Sequence, residues 1–299
     1  MTSHRTTTPE PGTAAGEAIV DWYATAARDL PWRRPGVDAW AVLVSEVMLQ
    51  QTPVARVEPV WREWMARWPT PAALAAVPPA DVIRAWGKLG YPRRALRLRE
   101  AAVAVVERHG GVVPADVSAL EALPGVGTYT ARAVACFGYG QPQPVVDTNV
   151  RRVVARLVHG RAEAGNARAA DLADIASLTP PDAGRAARFS VAAMELGALV
   201  CVAGTPRCGA CPVRDRCVWR LAGCPPPDGP PRRVQKFAGT DRQVRGRLLD
   251  VLRAAHGPVA APELEAVWDD AAQRSRCLDS LLADGLVEQT AEGLFRLPA

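Results

Sequence analysis

Residues 201–217 read Cys-Val-Ala-Gly-Thr-Pro-Arg-Cys-Gly-Ala-Cys-Pro-Val-Arg-Asp-Arg-Cys, a C-x6-C-x2-C-x5-C array that directly follows the apolar, helix-like run 189–200. Four thiolates so close in sequence can wrap one metal centre. With no histidine among them, the candidates are an all-cysteine zinc site and an iron–sulfur cubane. Zinc ribbons pair two short C-x2-C knuckles across a longer gap, whereas only Cys208 and Cys211 are so paired here. The other three of the seven cysteines, Cys136, Cys224 and Cys277, are dispersed, which argues against a disulfide framework.

At 299 residues the chain exceeds one typical compact unit. A net charge of +5 and an isoelectric point near 9.0 favour a polyanionic partner. Arginine carries the charge, since Lys88 and Lys236 are the only lysines; a GC-rich coding bias is the plain source of that imbalance. Residues 1–14 are polar and Pro-bearing and are expected to be a disordered leader. No apolar run is long enough to span a bilayer, so a cytoplasmic, nucleoid-associated protein is expected. Apolar residues recur at helical spacing almost throughout, with no alternating strand pattern, which predicts an all-α fold.

A second motif, Leu123-Pro124-Gly125-Val126-Gly127, separates helices predicted over 117–122 and 128–138. Two glycines let the backbone turn tightly and approach another molecule, and the first amides of the next helix form an anion site suited to phosphate. A bare connection between helices is the alternative. Asp147 stands where the apolar pair Val145-Val146 gives way to another predicted helix. It is a natural N-cap, and the helix dipole and amides there predict a low pKa. Such a fixed anion suits a reaction that builds positive charge on a sugar carbon.

Glu46 is the only charged residue in the run 39–52, AWAVLVSEVMLQQT. A solvated glutamate is the ordinary reading, but in so apolar a helix burial predicts a raised pKa and a neutral proton donor. A neutral acid and a fixed anion can then serve one reaction at one pH.

Over residues 17 to about 222 the chain resembles the endonuclease III and MutY family of DNA glycosylases. The cysteine spacing is similar to the family's [4Fe-4S] loop, and the PGVG turn with Tyr129-Thr130-Ala131 and Asp147 is similar to its helix-hairpin-helix and catalytic aspartate. The words Ser45-Glu46-Val47-Met48-Leu49-Gln50-Gln51-Thr52, Leu30-Pro31-Trp32-Arg33, Leu89-Gly90-Tyr91 and Met194-Glu195-Leu196-Gly197-Ala198 are close to the MutY branch. The resemblance implies a two-lobed helix-hairpin-helix glycosylase with a [4Fe-4S] cluster on Cys201, Cys208, Cys211 and Cys217. It implies Glu46 as the acid that protonates adenine and Asp147 as the stabilising anion, with Tyr129 and Asn149 in support. Arg28, Leu30, Trp32, Arg33 and Glu195 would line the adenine pocket, and Gln51 and Tyr91 would enter the stack around the mispaired guanine. Gly125, Val126, Gly127 and Arg207 would hold phosphates. The expected partner is double-stranded DNA with adenine opposite 8-oxoguanine or guanine, bound by a monomer. Tyr129 stands where endonuclease III has its Schiff-base lysine, which implies a monofunctional enzyme.

The resemblance places a catalytic domain at 15–223, with a six-helix lobe over about 38–144 and a cluster lobe formed by 15–37 and 145–223. Residues 224–239 read as a Pro-rich linker, and 240–299 as a separate small module. That module is too short for the Nudix-like domain of typical MutY proteins. Helices predicted over 245–255, 261–268 and 271–284, then a short hairpin over 286–297, look like a winged helix, for DNA or for a protein partner. The chain departs from the family's usual pattern at Thr148, where Gly is common, and at Pro92, where Tyr is common. Two other functions fit parts of the sequence: a bifunctional pyrimidine-lesion glycosylase with lyase activity, and a non-enzymatic iron–sulfur redox sensor that binds DNA.

Overall fold

Helix starts follow the short polar side chains. Asp147, Asp182, Asp270 and Thr70 each accept a hydrogen bond from a backbone N–H three residues on, satisfying one of the amides a helix leaves without a partner. The computed structural model describes residues 11–228 and 237–299. Its helices are α1 (Pro11–Ala26), α2 (Ala39–Leu49), α3 (Val54–Arg67), α4 (Pro71–Ala75), α5 (Pro79–Trp86), α6 (Arg93–His109), α7 (Val117–Glu121) and α8 (Thr128–Tyr139). There follow α9 (Thr148–Leu157), α10 (Ala170–Ala176), α11 (Ala183–Leu199), α12 (Val218–Leu221), α13 (Asp241–Ala254), α14 (Ala261–Glu265) and α15 (Ala271–Ala283). Strands β1 (Glu288–Gln289) and β2 (Phe295–Arg296) form one antiparallel hairpin. Among the described residues no helix is long and apolar enough to cross a membrane.

The chain divides into two compact units. Of the described residues, the first contains 11–42, 115–118 and 127–228, and the second contains 43–114, 119–126 and 237–299.

The first unit is built on α1, α9 and α11. Ile19, Val150, Val153, Phe189, Ala193 and Leu196 form its core, and Cys201, Cys211 and Cys217 pack on the edge of that core. Glycine lets α1 approach closely: a Cβ on Gly16 would stand 1.9 Å from the Leu178 carbonyl oxygen. The helix begins at Pro11, so residues 11–14 are helical where a leader was expected; residues 1–10 of that leader lie outside the described residues.

The second unit packs α4, α5 and α6 around Trp64 and Trp86, whose rings meet edge to face at 5.5 Å. Residues 240–299 share this unit, where the sequence suggested a separate module. Ile83 of α5 lies within one apolar cluster with Val244, Leu248, Leu252, Cys277, Leu281 and Phe295. Polar contacts fasten the same surface, with Arg253 Nε donating to the Ile83 carbonyl at 3.3 Å and Arg93 paired with Asp284 at 3.0 Å. Half of the proposed linker, 229–236, lies outside the described residues.

Candidate active site and cysteine loop

Asp147 caps α9 with one carboxylate oxygen and holds a side chain with the other. Oδ1 accepts the Val150 amide at 2.7 Å, and Oδ2 accepts the Asn149 Nδ2 amide, also at 2.7 Å. Asn149 is in turn held by Arg152, whose Nη2 donates to Asn149 Oδ1 and to the Gly197 carbonyl, each at 2.7 Å. Arg152 Nε reaches the carbonyl of Cys201 at 2.6 Å, so one guanidinium links the aspartate's support to the first cysteine of the array. Half-buried Tyr129 of α8 packs with Val145 and Met194 in the same unit. Thr148 is exposed, so its departure from the usual Gly leaves the cap undisturbed. The expected low pKa of Asp147 does not survive: burial pushes its carboxyl above the usual value, even though the bonds from Val150 and Asn149 and the charge of Arg152 oppose that rise.

Glu195 of α11 has a fully buried side chain between two arginines. Its Oε1 accepts the backbone N–H of Arg28 at 3.1 Å and the guanidinium Nε at 2.6 Å; Oε2 accepts Arg28 Nη2 at 2.8 Å and Arg33 Nη1 at 2.6 Å. Burial alone would raise its pKa, but the Arg28 hydrogen bonds and the Arg33 charge outweigh it and hold the carboxyl down to about 2. Leu30 and Trp32, on the turn between those arginines, are buried.

Glu46, Gln51 and Tyr91 belong to the second unit. Glu46 is buried in the last turn of α2 and is that helix's only charged residue. Gln51 and Tyr91 have φ of 55° and 48°; apart from Cys224 they are the non-glycine residues at positive φ among those described. A side chain is rarely held in this left-handed region, at a cost of about 1–3 kcal/mol, unless its surroundings enforce it. Arg94 enforces both. Its Nη1 donates to the carbonyls of Val47, Met48 and Gln50 at 2.6–3.0 Å, and its Nη2 to Gly90 O and Thr52 Oγ1, both at 3.0 Å. Pro92, at φ −63°, caps α6 where its ring suits the backbone.

The glycine turn departs from uniform freedom. Gly125 has φ 75° and lies so close to Arg97 that a Cβ would stand 2.7 Å from that residue's Cβ, whereas Gly127 is extended and no side chain caps α8 after it. Arg207 is exposed beside Cys208.

Cys201, Cys208, Cys211 and Cys217 line one small cavity with Arg156 and Trp219, and none is in a disulfide. Among the described residues, no three His, Cys, Asp or Glu side chains are drawn together onto one point as ligands of a single ion. Burial, aided by the other cysteines, pushes Cys211 up to about 11, so these thiols ionise together only around compensating positive charge. Arg156 is buried against them, its Nη1 3.4 Å from Cys201 Sγ and its guanidinium 4.8 Å from the centre of the Trp219 ring. It has no carboxylate partner among the described residues. A buried cation beside four thiols fits a donor set that carries net negative charge when metallated.

The profile of the HhH-GPD superfamily of base excision DNA repair proteins matches residues 44–178. Across 97% of both chains the protein is 61% identical to an adenine DNA glycosylase of Mycobacterium tuberculosis. It is 62% identical to an adenine DNA glycosylase of Mycolicibacterium smegmatis over 93% of this chain and 94% of that one. The chain belongs to the adenine DNA glycosylase family of the HhH-GPD superfamily. A solved thermostable thymine-DNA glycosylase shares the fold, at TM-score 0.64 and 26% identity over 71% of this chain and 97% of that one.

Within this glycosylase, the first unit brings together Asp147, Asn149 and Tyr129 and the set of Arg28, Arg33 and Glu195, while the second holds Glu46, Gln51 and Tyr91. Sequence reasoning missed Arg94, Arg152 and Arg156, the three guanidiniums that hold the glycosylase's motifs in place. Arg152 and Arg156 lie one helical turn apart on α9, which was the available signal.

Proposed function

We propose that this enzyme removes adenine mispaired with 8-oxoguanine or guanine in double-stranded DNA, by acid-assisted hydrolysis of the N-glycosidic bond and without lyase chemistry. The fixed Asp147 carboxylate at the N-terminus of α9 carries the reading. Glu46 protonates the purine at N7; the bond from C1′ to N9 then breaks with its electron pair going to the base. The positive charge left at C1′ meets the Asp147 anion, which the Val150 and Asn149 N–H groups hold in place before the reaction begins. Water adds hydroxide to C1′ and gives its proton to solvent, leaving an abasic site in an intact strand. With Tyr129 in the hairpin and Lys88 outside it, imine formation has no amine there.

The target base is stacked inside the duplex, so it must be flipped out. Gln51 and Tyr91 fill the space, while Arg28, Leu30, Trp32, Arg33 and Glu195 wall the adenine pocket. Residues Gly125, Val126, Gly127 and Arg207 hold phosphates without reading sequence. Cys201, Cys208, Cys211 and Cys217 hold a [4Fe-4S] cluster, which staples the loop that carries Arg207. The protein acts as a monomer at the nucleoid.

Duplexes with adenine opposite 8-oxoguanine test this directly. Alkali-dependent cleavage confined to the adenine strand is expected, and Glu46→Gln and Asp147→Asn should each abolish it while still binding the duplex. Turnover by either variant, or a borohydride-trapped adduct of the wild type, counts against the mechanism.

A further inference from the structure

Across a cleft of about 1220 Å³ that lies within the second unit, α13 faces the turns that carry Gln51 and Tyr91. Nine of its lining residues are Arg or Lys and two are Asp. Both acids are already engaged, Asp284 by Arg93 and Arg245 and Asp250 by Lys88 and Arg253. Arg56, Arg94, Arg242 and Arg247 have no carboxylate partner among the described residues, so the cleft keeps a net positive charge. Three of these cations stand beside aromatic rings: Arg242 Nη1 is 3.3 Å from the Tyr91 hydroxyl and 5.4 Å separates its guanidinium from the Phe237 ring centre, while Arg247 lies 5.2 Å from the Trp268 ring centre and Arg94 5.6 Å from that of Tyr91. Tyr91 and Phe237 are 45% and 55% exposed, so each ring keeps surface open for stacking beside the guanidinium that lies over it.

Cations without acidic partners, interleaved with exposed rings along a groove, match a nucleic-acid strand: phosphates for the guanidiniums, base faces for the rings. We propose that α13 and residues 87–94 together form a strand-binding site that takes the phosphodiester backbone of the strand opposite the extruded adenine, with Arg242 and Arg247 on phosphates and Tyr91 at the base step between them. This rests on the reading of Tyr91 as the side chain that enters the stack. Because Ile83 shares one apolar core with α13, the C-terminal segment is a fixed wall of the cleft and positions its arginines without a tether's entropy cost.

The test uses the full-length protein with a duplex carrying non-cleavable 2′-fluoroadenosine opposite 8-oxoguanine. Removing two phosphate contacts in the Arg242→Ala, Arg247→Ala double variant should weaken binding about tenfold or more in about 0.1 M salt. It should also flatten the slope of log K against log salt by about 2, near 0.9 per phosphate. On the matching duplex with ordinary deoxyadenosine, adenine release under saturating enzyme should stay close to that of the wild type. A photoreactive base placed opposite the adenine should crosslink to a peptide from 237–253; the same base in the adenine strand should not. If the double alanine variant melts early, Arg242→Gln and Arg247→Gln singly carry the salt-slope measurement. Unchanged affinity and slope, or crosslinks only from the adenine strand, overturn the proposal. So does an acidic peptide that binds the wild type more tightly than duplex and loses that binding in the double variant. Failure of the wild type to release adenine would instead overturn the proposed reaction, since the cleft is judged by binding alone.

Discussion

Gly197 meets Asn149 with no room for a side chain: a Cβ at position 197 would stand 2.7 Å from the Asn149 Cβ and 2.8 Å from its carbonyl oxygen. The contact sets the spacing of α11 and α9, so it also sets where Asn149 presents its amide to Asp147. Gly197→Ala must push the two helices apart or turn Asn149 away. Overpacking of this kind costs about 1–3 kcal/mol. The larger effect is expected on the reaction, where a misplaced supporting group costs on the order of a hundredfold. Urea unfolding and single-turnover adenine release on the same variant separate the two, and a normal rate would show that Asn149 does not need this spacing.

The paired arginines around Glu195 make a pH-dependent contribution to stability. Its pKa falls from 4.5 to about 2 on folding, so the stabilisation is complete above the unfolded value and is lost as pH drops through about 2. Glu195→Gln leaves two guanidiniums without their anion and should cost about 3 kcal/mol near neutral pH. The gap between wild type and variant should narrow below about pH 4.5. Urea midpoints at several pH values check this, and a gap independent of pH would assign the cost to packing instead of charge.

Asp147 predicts the opposite displacement. Burial raises its pKa above 3.8, and the reaction needs the anion, so the acid limb of the single-turnover rate should lie above an ordinary aspartate's. Asn149→Ala removes a hydrogen bond that favours the anion. The limb should therefore move further upward, with most of the rate recovered at higher pH. A variant whose rate is low at every pH, with the limb unmoved, would give Asn149 a role other than holding the charge.

The motifs were legible because each needs a residue type at a fixed offset: an N-cap before α9, glycines in the hairpin, and a lone acid in α2. The helical order was legible from apolar spacing for the same reason, including three helices and a hairpin after residue 240. What spacing could not carry was contact between distant segments. Nothing near Ile83 in sequence shows that it completes the core under α13, so the C-terminal segment read as a separate module. The structural arginines were hidden by abundance: in a chain with two lysines, Arg94 and Arg152 look like background until their acceptors are known. The direction of the Asp147 shift was misread because the cap amides are local and visible, whereas the burial that outweighs them is tertiary.

Arg94 offers the sharpest separation of shape from charge. Burial lowers its pKa to about 10, which leaves it cationic at neutral pH, and its planar fork reaches carbonyls from the end of α2 and from Gly90 at once. Lysine keeps the charge but cannot span those acceptors. With Arg94→Lys the left-handed backbones of Gln51 and Tyr91 lose their common clamp and should relax toward ordinary φ. If these two side chains sense the mispair, affinity for adenine opposite 8-oxoguanine should fall toward that for a normal adenine–thymine duplex. The salt dependence of binding should change little, because no phosphate contact has been removed. Measuring both dissociation constants across salt decides the matter: a uniform loss on both duplexes, with a shallower slope, would make Arg94 a phosphate ligand and leave the two turns without a specificity role.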